Sequence, residues 1–169
     1  MRFRAMPALL LGAVLLLSGC GSSGEQAADT PTAGSSSDTA NLAFTSNTLD
    51  GSSFDGAQLA GKPAVLWFWA PWCPTCRAQA PAVSSLAEKY GAKVSILGVG
   101  GLADVSDIRA YAQEVDGPIH LIDPDGAVWR HFGVTAQSTY VILDADGGVV
   151  AEGYLDDSVL AAKVAELVS

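Results

Sequence analysis

A mixed α/β fold, with helices on both faces of a central sheet and a β-hairpin at its N-terminal end, is predicted by three features of this chain. Ala64-Val65-Leu66-Trp67-Phe68-Trp69 is apolar without alternation, the pattern of a strand covered on both faces. An amphipathic run, Pro74 to Tyr90, follows it directly, so a buried strand feeds a helix. Downstream, further short apolar runs alternate with helical periodicities, and Asp-Gly pairs mark tight turns.

The elements follow in order. Thr45 to Phe54, turned at Asp50-Gly51, reads as a short strand pair. Ala64 to Trp69 is expected to be central in the sheet. In the helix after it, Val83, Leu86, Ala87 and Tyr90 share one face, Pro74 suits the first turn, and Pro81 is expected to kink it. Val94 to Val99 is a second buried strand. Asp104 is the expected cap of a helix turning Val105, Ile108, Ala112 and Val115 inward. Ile119 to Ile122 is a strand, Pro124 to Phe132 a helical insert, and Tyr140 to Leu143 with Val149 to Glu152 a hairpin turned by Asp146-Gly147-Gly148. Asp156 or Asp157 caps a last helix whose inner face is Leu160, Val164 and Leu167.

Ahead of the domain, Arg2 and Arg4 precede an apolar stretch from Ala8 to Leu17, and Leu17-Ser18-Gly19-Cys20 ends it. The stretch is shorter than the roughly 20 residues that a membrane span needs, so residues 1–19 read as a secretory signal. Leu-Ser-Gly-Cys looks like a bacterial lipobox, which implies cleavage before Cys20 and lipidation of that cysteine. Residues 20–41, rich in Gly, Ser, Ala and Thr, are expected to be a lipid-anchored flexible linker with an r.m.s. reach of about 25 Å. Residues 42–169 then form one domain. Seven basic residues against eighteen acidic ones remain after the signal, a formal net charge of −11. That balance argues against nucleic acid as a partner.

The chain has three cysteines. With Cys20 taken by the anchor, Cys73 and Cys76 remain as an even pair in an exported protein, where disulfides persist. Their CxxC spacing at a strand-to-helix junction reads as a redox dithiol. Half of a zinc site looks the same, but no second CxxC or HxxxH follows, so no metal is expected there.

Trp69-Ala70-Pro71-Trp72-Cys73-Pro74-Thr75-Cys76, taken with the order of elements, resembles the thioredoxin superfamily. The N-terminal hairpin, the insert around Asp123 to Phe132 and the anchor are similar to the TlpA/ResA/DsbE-type exported thioredoxins, especially the mycobacterial DsbE and DsbF lipoprotein group. The resemblance implies a thioredoxin-like fold over nearly all of 42–169 and a redox-active Cys73–Cys76 disulfide without a cofactor. In it Cys73 is the exposed nucleophile and Cys76 the buried resolving thiol. Helix geometry agrees, because a sulfur at a helix N-terminus is stabilised as thiolate. Trp72, Pro74, Thr75, Ser138 and Thr139 are the implied supporting and substrate-loop residues, and Trp69 with Trp72 the expected docking wall.

Three departures from the family matter. Trp67 stands where thioredoxins carry a buried acid, Gln79 where many relatives carry a glutamate, and Ser138 where they carry a cis-proline. A non-proline cis bond costs ~2.5–4 kcal/mol against roughly 0.5–1 for a proline. The loop is therefore expected to be trans and reshaped, with the Ser138 hydroxyl donating to the Cys73 thiolate. The implied function is a membrane-tethered, extracytoplasmic thiol-disulfide oxidoreductase. Its expected partners are exported cysteine-containing proteins and a membrane redox partner that recycles the dithiol. The absence of a buried carboxylate favours oxidase action. Pro74-Thr75 also suits a reductase of the cytochrome c maturation type, and an uncovered dithiol suits Cu(I), so a copper chaperone is the third reading.

Overall fold

The computed structural model describes residues 39–169. The expected signal, Cys20 and the linker as far as residue 38 lie outside the described residues. At the linker's far end, Ala40 N–H donates to the Gly147 carbonyl at 2.8 Å, which lays residues 39–41 against the last hairpin.

The elements are β1 (Thr45–Thr48), β2 (Ser53–Asp55), a 3-10 turn (Gly56–Leu59), β3 (Ala64–Trp69), α1 (Pro74–Tyr90), β4 (Ser95–Gly101), α2 (Val105–Ala112), β5 (Ile119–Asp123), α3 (Ala127–His131), β6 (Thr139–Leu143), β7 (Val149–Gly153) and α4 (Asp157–Glu166). They build one seven-stranded sheet in the order β2-β1-β5-β4-β3-β6-β7. Strands β3, β4 and β5 run parallel, while β6 pairs antiparallel to β3 and the two hairpins close the edges. The expected mixed sheet and N-terminal hairpin are both present. No helix among the described residues is long and apolar enough to cross a membrane.

All six residues of β3 are buried, as its unbroken apolar run requires. Successive side chains point to opposite faces of a strand, so β3 feeds two cores. Val65, Trp67 and Trp69 pack with α1, α2 and α4, whereas Ala64, Leu66 and Phe68 pack with Leu59, Val128 and Trp129 on the other face. Side chains of Trp size need room opposite them. At Gly100 on β4 a Cβ would lie 2.6 Å from both Ile108 Cγ2 and Trp69 Cζ2, so only glycine fits.

Helix α3 is short and is organised by a buried carboxylate. Asp123, at the end of β5, accepts from the N–H groups of Ala127 (2.8 Å), Val128 (2.9 Å) and Trp129 (3.0 Å), satisfying the free donors of the helix start. Pro81 lies inside α1 without ending it. Leu160 and Val164 of α4 are buried, and Leu167 packs against them partly buried.

One core expectation fails. Val105 is 43% exposed, because it is the first residue of α2 and precedes the face formed by Ile108, Tyr111 and Ala112. Asp104 and Asp156 stand at the N-cap positions of α2 and α4 but make no side-chain cap hydrogen bond.

His120 on β5 is buried edge-on to Trp69, with ring centroids 5.9 Å apart. Its Nε2 lies 2.7 Å from the Val115 carbonyl, which can only accept, so Nε2 carries the proton. Burial holds its pKa below the ordinary value, against a smaller opposing effect of that hydrogen bond. A lowered folded-state pKa means the unfolded chain binds the proton more readily. Stability is therefore full above about pH 6.5 and falls as pH drops below it, by at most about 1.4 kcal/mol per pH unit. Urea titrations between pH 7 and 5 are expected to show that fall, and His120→Gln is expected to flatten it; an equal slope in the variant would refute the assignment.

Candidate functional site

Cys73 and Cys76 form a disulfide, with Cα atoms 5.3 Å apart. The strand-to-helix junction creates this geometry. Cys73 is the N-cap of α1 in extended conformation (φ −83°, ψ 113°), and Pro74 occupies the first turn, where its missing N–H is of no consequence. The Cys73 sulfur accepts from the Cys76 N–H at 3.1 Å, taking the place that a serine or aspartate oxygen holds in an ordinary cap. Cys76 is wholly buried, as expected, but Cys73 is buried too, at 5% exposure, and not the exposed sulfur the resemblance implied, because the exposed side chains of Trp72, Pro74 and Thr75 stand around it. A sulfur set among the first N–H groups of a 17-residue helix is stabilised as an anion by them and by the macrodipole.

The loop before β6 differs from expectation in two respects. The Gln137–Ser138 peptide is cis, not trans. The sequence exposes only the local cost of that bond, whereas the fold holds Ser138 buried from two sides. The Ser138 hydroxyl accepts from Trp67 Nε1 at 2.9 Å and donates to Gln79 Oε1. That is the second correction, because a hydroxyl spent on Gln79 does not donate to the Cys73 sulfur. The same hydroxyl is thereby occupied and does not add to the dithiol as a metal ligand, and among the described residues no cluster of three His, Cys, Asp or Glu side chains is placed to hold a metal ion.

Trp67, Ser138 and Gln79 thus form a buried, uncharged chain beneath α1, extended by Gln79 Nε2 donating to the Leu155 carbonyl at 3.3 Å. It ties β3, β6, α1 and the segment before α4 together one turn from Cys76. Thr139, the first residue of β6, pairs with Phe68 of β3, and its hydroxyl donates to the Ala136 carbonyl at 2.8 Å. The expected docking wall splits. Trp69 is fully buried between Tyr111 and His120, whereas Trp72 is 56% exposed. Alternation along β3 turns Trp69 into the core, and Trp72 lies beyond the strand.

Two neighbours escaped the sequence reading. Arg77 lies one turn beyond Cys73, a spacing that could have flagged it. Its Nε donates to the Pro71 carbonyl at 3.1 Å, its guanidinium covers the Tyr111 ring at 4.4 Å, and it pairs with Glu114 at 3.4 Å. Leu102, in the turn after β4, accepts from Trp72 Nε1 at 2.9 Å through its carbonyl; nothing local in the sequence signals this. Of the two histidines, His120 faces Trp69 and His131 Nε2 bonds to the Asn41 carbonyl, so neither joins the disulfide.

Comparison with known proteins matches the Redoxin family over residues 33–167. The chain is 44% identical over 107 residues to the soluble secreted antigen MPT53 of Mycobacterium tuberculosis, covering 63% of this chain and 61% of that one. It is 30% identical over 113 residues to the thiol-disulfide oxidoreductase ResA of Bacillus cereus, covering 64% of each. The solved structure of MTB dsbF in mixed oxidized and reduced forms is similar with a TM-score of 0.70 at 42% identity, covering 75% of this chain and 96% of that one. The matches span about three fifths of the length of these curated relatives.

In the reduced protein the Cys73 thiol is expected to ionise well below ~8.5, the free-cysteine value, because of its cap position. Thiolate absorbance against pH, with Cys76→Ala to isolate the signal, reads this directly; a midpoint near ~8.5 would remove the helix-terminus argument.

Proposed function

The chain belongs to the Redoxin family, in the TlpA/ResA/DsbE group near mycobacterial DsbF, and we propose that it is an extracytoplasmic thiol-disulfide oxidoreductase that oxidises exported proteins. The observation that carries this is the Cys73–Cys76 disulfide with its outer sulfur capping a helix. A client thiolate attacks Cys73 Sγ, the Cys73–Cys76 bond breaks, and Cys76 leaves as a thiolate that takes up a proton. A second client thiolate then attacks the client sulfur of the mixed disulfide. Cys73 departs with the electron pair, and the client keeps a new disulfide. The protein has gained two electrons.

The leaving Cys73 thiolate is stabilised by the Cys76 N–H and the helix terminus, which favours the reduced protein and hence oxidation of the client. The uncharged Trp67–Ser138–Gln79 chain supports the same direction, because it places no carboxylate under the departing anion. Renewed turnover requires a membrane redox partner to accept the two electrons. Tethering through Cys20 keeps the domain within reach of it, and the linker provides the distance.

Cys76→Ala cannot resolve the mixed disulfide and is expected to accumulate exported cysteine-containing proteins on Cys73. Their release by reductant identifies them. In the unsubstituted protein, an oxidised steady state in cells and loss of client disulfides on deletion are the outcomes expected of an oxidase; a reduced steady state with clients left over-oxidised would establish the reductase instead. Cys20→Ser is expected to move the protein from the membrane fraction to the medium, and an unchanged distribution would eliminate the anchor.

A further inference from the structure

Beside the disulfide lies a cleft of about 300 Å³ lined by Pro71, Trp72 and Arg77 on one wall and by Asp107, Tyr111 and Glu114 on the other. It opens on the β4 flank of β3, where α2 packs. The Gln137–Thr139 loop lies on the other flank, leading into β6. We propose that this cleft selects clients carrying an apolar side chain and a lysine or arginine within about three residues of the reacting cysteine. This deepens the oxidoreductase reading and rests on it.

The apolar part of the cleft is a platform. Trp72 spends its only polar group on the Leu102 carbonyl, so the ring it leaves exposed is purely apolar and held in place. Leu102 itself is 46% exposed and has φ 58°, a left-handed conformation uncommon outside glycine, and Val105 follows it on the surface. The Trp72 ring and the exposed Leu102 whose carbonyl holds it thus stand together, with Trp72 adjacent in sequence to Cys73, the sulfur a client must reach. Fixing the ring beforehand lowers the ordering cost of docking.

Charge supplies the other half. Arg77 is the only cation of the cleft, and it is committed to Pro71, to the Tyr111 ring and to Glu114. Asp107, in the first turn of α2, lines the cleft and has no side-chain hydrogen bond or ion pair among the described residues. With Glu114 paired to Arg77, Asp107 leaves the cleft net negative, in a chain with a formal charge of −9. Tyr111 adds a third observation: it is only 4% exposed, lines the cleft, and has a buried hydroxyl with no hydrogen-bond partner. A basic side chain answers the free carboxylate of Asp107, and an acidic one is repelled. Each extended residue spans ~3.3–3.6 Å, so neighbours of a cysteine bonded to Cys73 can reach Trp72 and then the acidic wall.

The test uses the oxidised full chain in single turnover with two-cysteine peptides bearing Leu and Lys, Leu and Glu, or Ser and Lys beside the first cysteine. Each peptide gives up two electrons and two protons and becomes its own disulfide as Cys73–Cys76 becomes a dithiol. Rates are divided by the rate of the same protein with dithiothreitol, which has no side chains to dock. At low ionic strength the Leu-Lys peptide is expected to react about two- to fivefold faster than Leu-Glu, the range of one exposed ion pair, and the gap should close toward 1 M salt. Asp107→Asn is expected to narrow the Lys/Glu ratio, and Leu102→Ser the Leu/Ser ratio. Equal rates for all three peptides, with dithiothreitol still reacting, would overturn the groove and leave the oxidoreductase standing. Failure to react with any thiol would remove both.

Discussion

Burial of β3 on both faces is the constraint on which the remaining structure depends. Its six side chains alternate between two cores, so no residue of the strand is free to move without disturbing one of them. The strand ends where α1 begins, and this junction fixes Cys73 as a cap. A helix start leaves N–H groups without intrahelical partners, and a sulfur placed there by a rigid strand meets them without reorganisation. Reactivity of the pair is in this sense a property of the packing of Trp67 and Trp69, although neither touches a client.

Beneath the disulfide the protein solves the problem of buried polar groups without charge. Trp67 Nε1, the Ser138 hydroxyl and the Gln79 amide would each be costly if left unpaired, roughly 1–3 kcal/mol apiece. Linked in series, they satisfy one another and end on the Leu155 carbonyl. A carboxylate in the same place would resist ionisation by Cys76. An amide is indifferent to it, so protonation of the inner thiolate is left to solvent or client.

Asymmetry of the surface around Cys73 follows from the sheet order. On the β6 side stands a short, hydrogen-bonded loop; on the β4 side stands an exposed tryptophan in a cleft with Asp107 of α2 and with Glu114 just after that helix. In the proposed reaction a client would meet backbone on one flank and side chains on the other. Arg77, tied to both walls of the cleft, keeps its width fixed.

By itself the sequence determined the fold class, the hairpins, the central strand and the cysteine pair, because each is written in local terms: an unbroken apolar run, a 3.6-residue period, an Asp-Gly turn, a CxxC at a helix start. Only the tertiary structure decided what Ser138 does. Its partners, Trp67 and Gln79, lie 71 and 59 positions away, and hydrogen bonds at that range leave no trace in spacing. The same holds for Trp69 and Trp72, equally aromatic in the sequence and separated into core and surface by the end of a strand. Val105 shows the limit from the other side: periodicity placed it inward, but the first turn of a helix projects past the core it points toward.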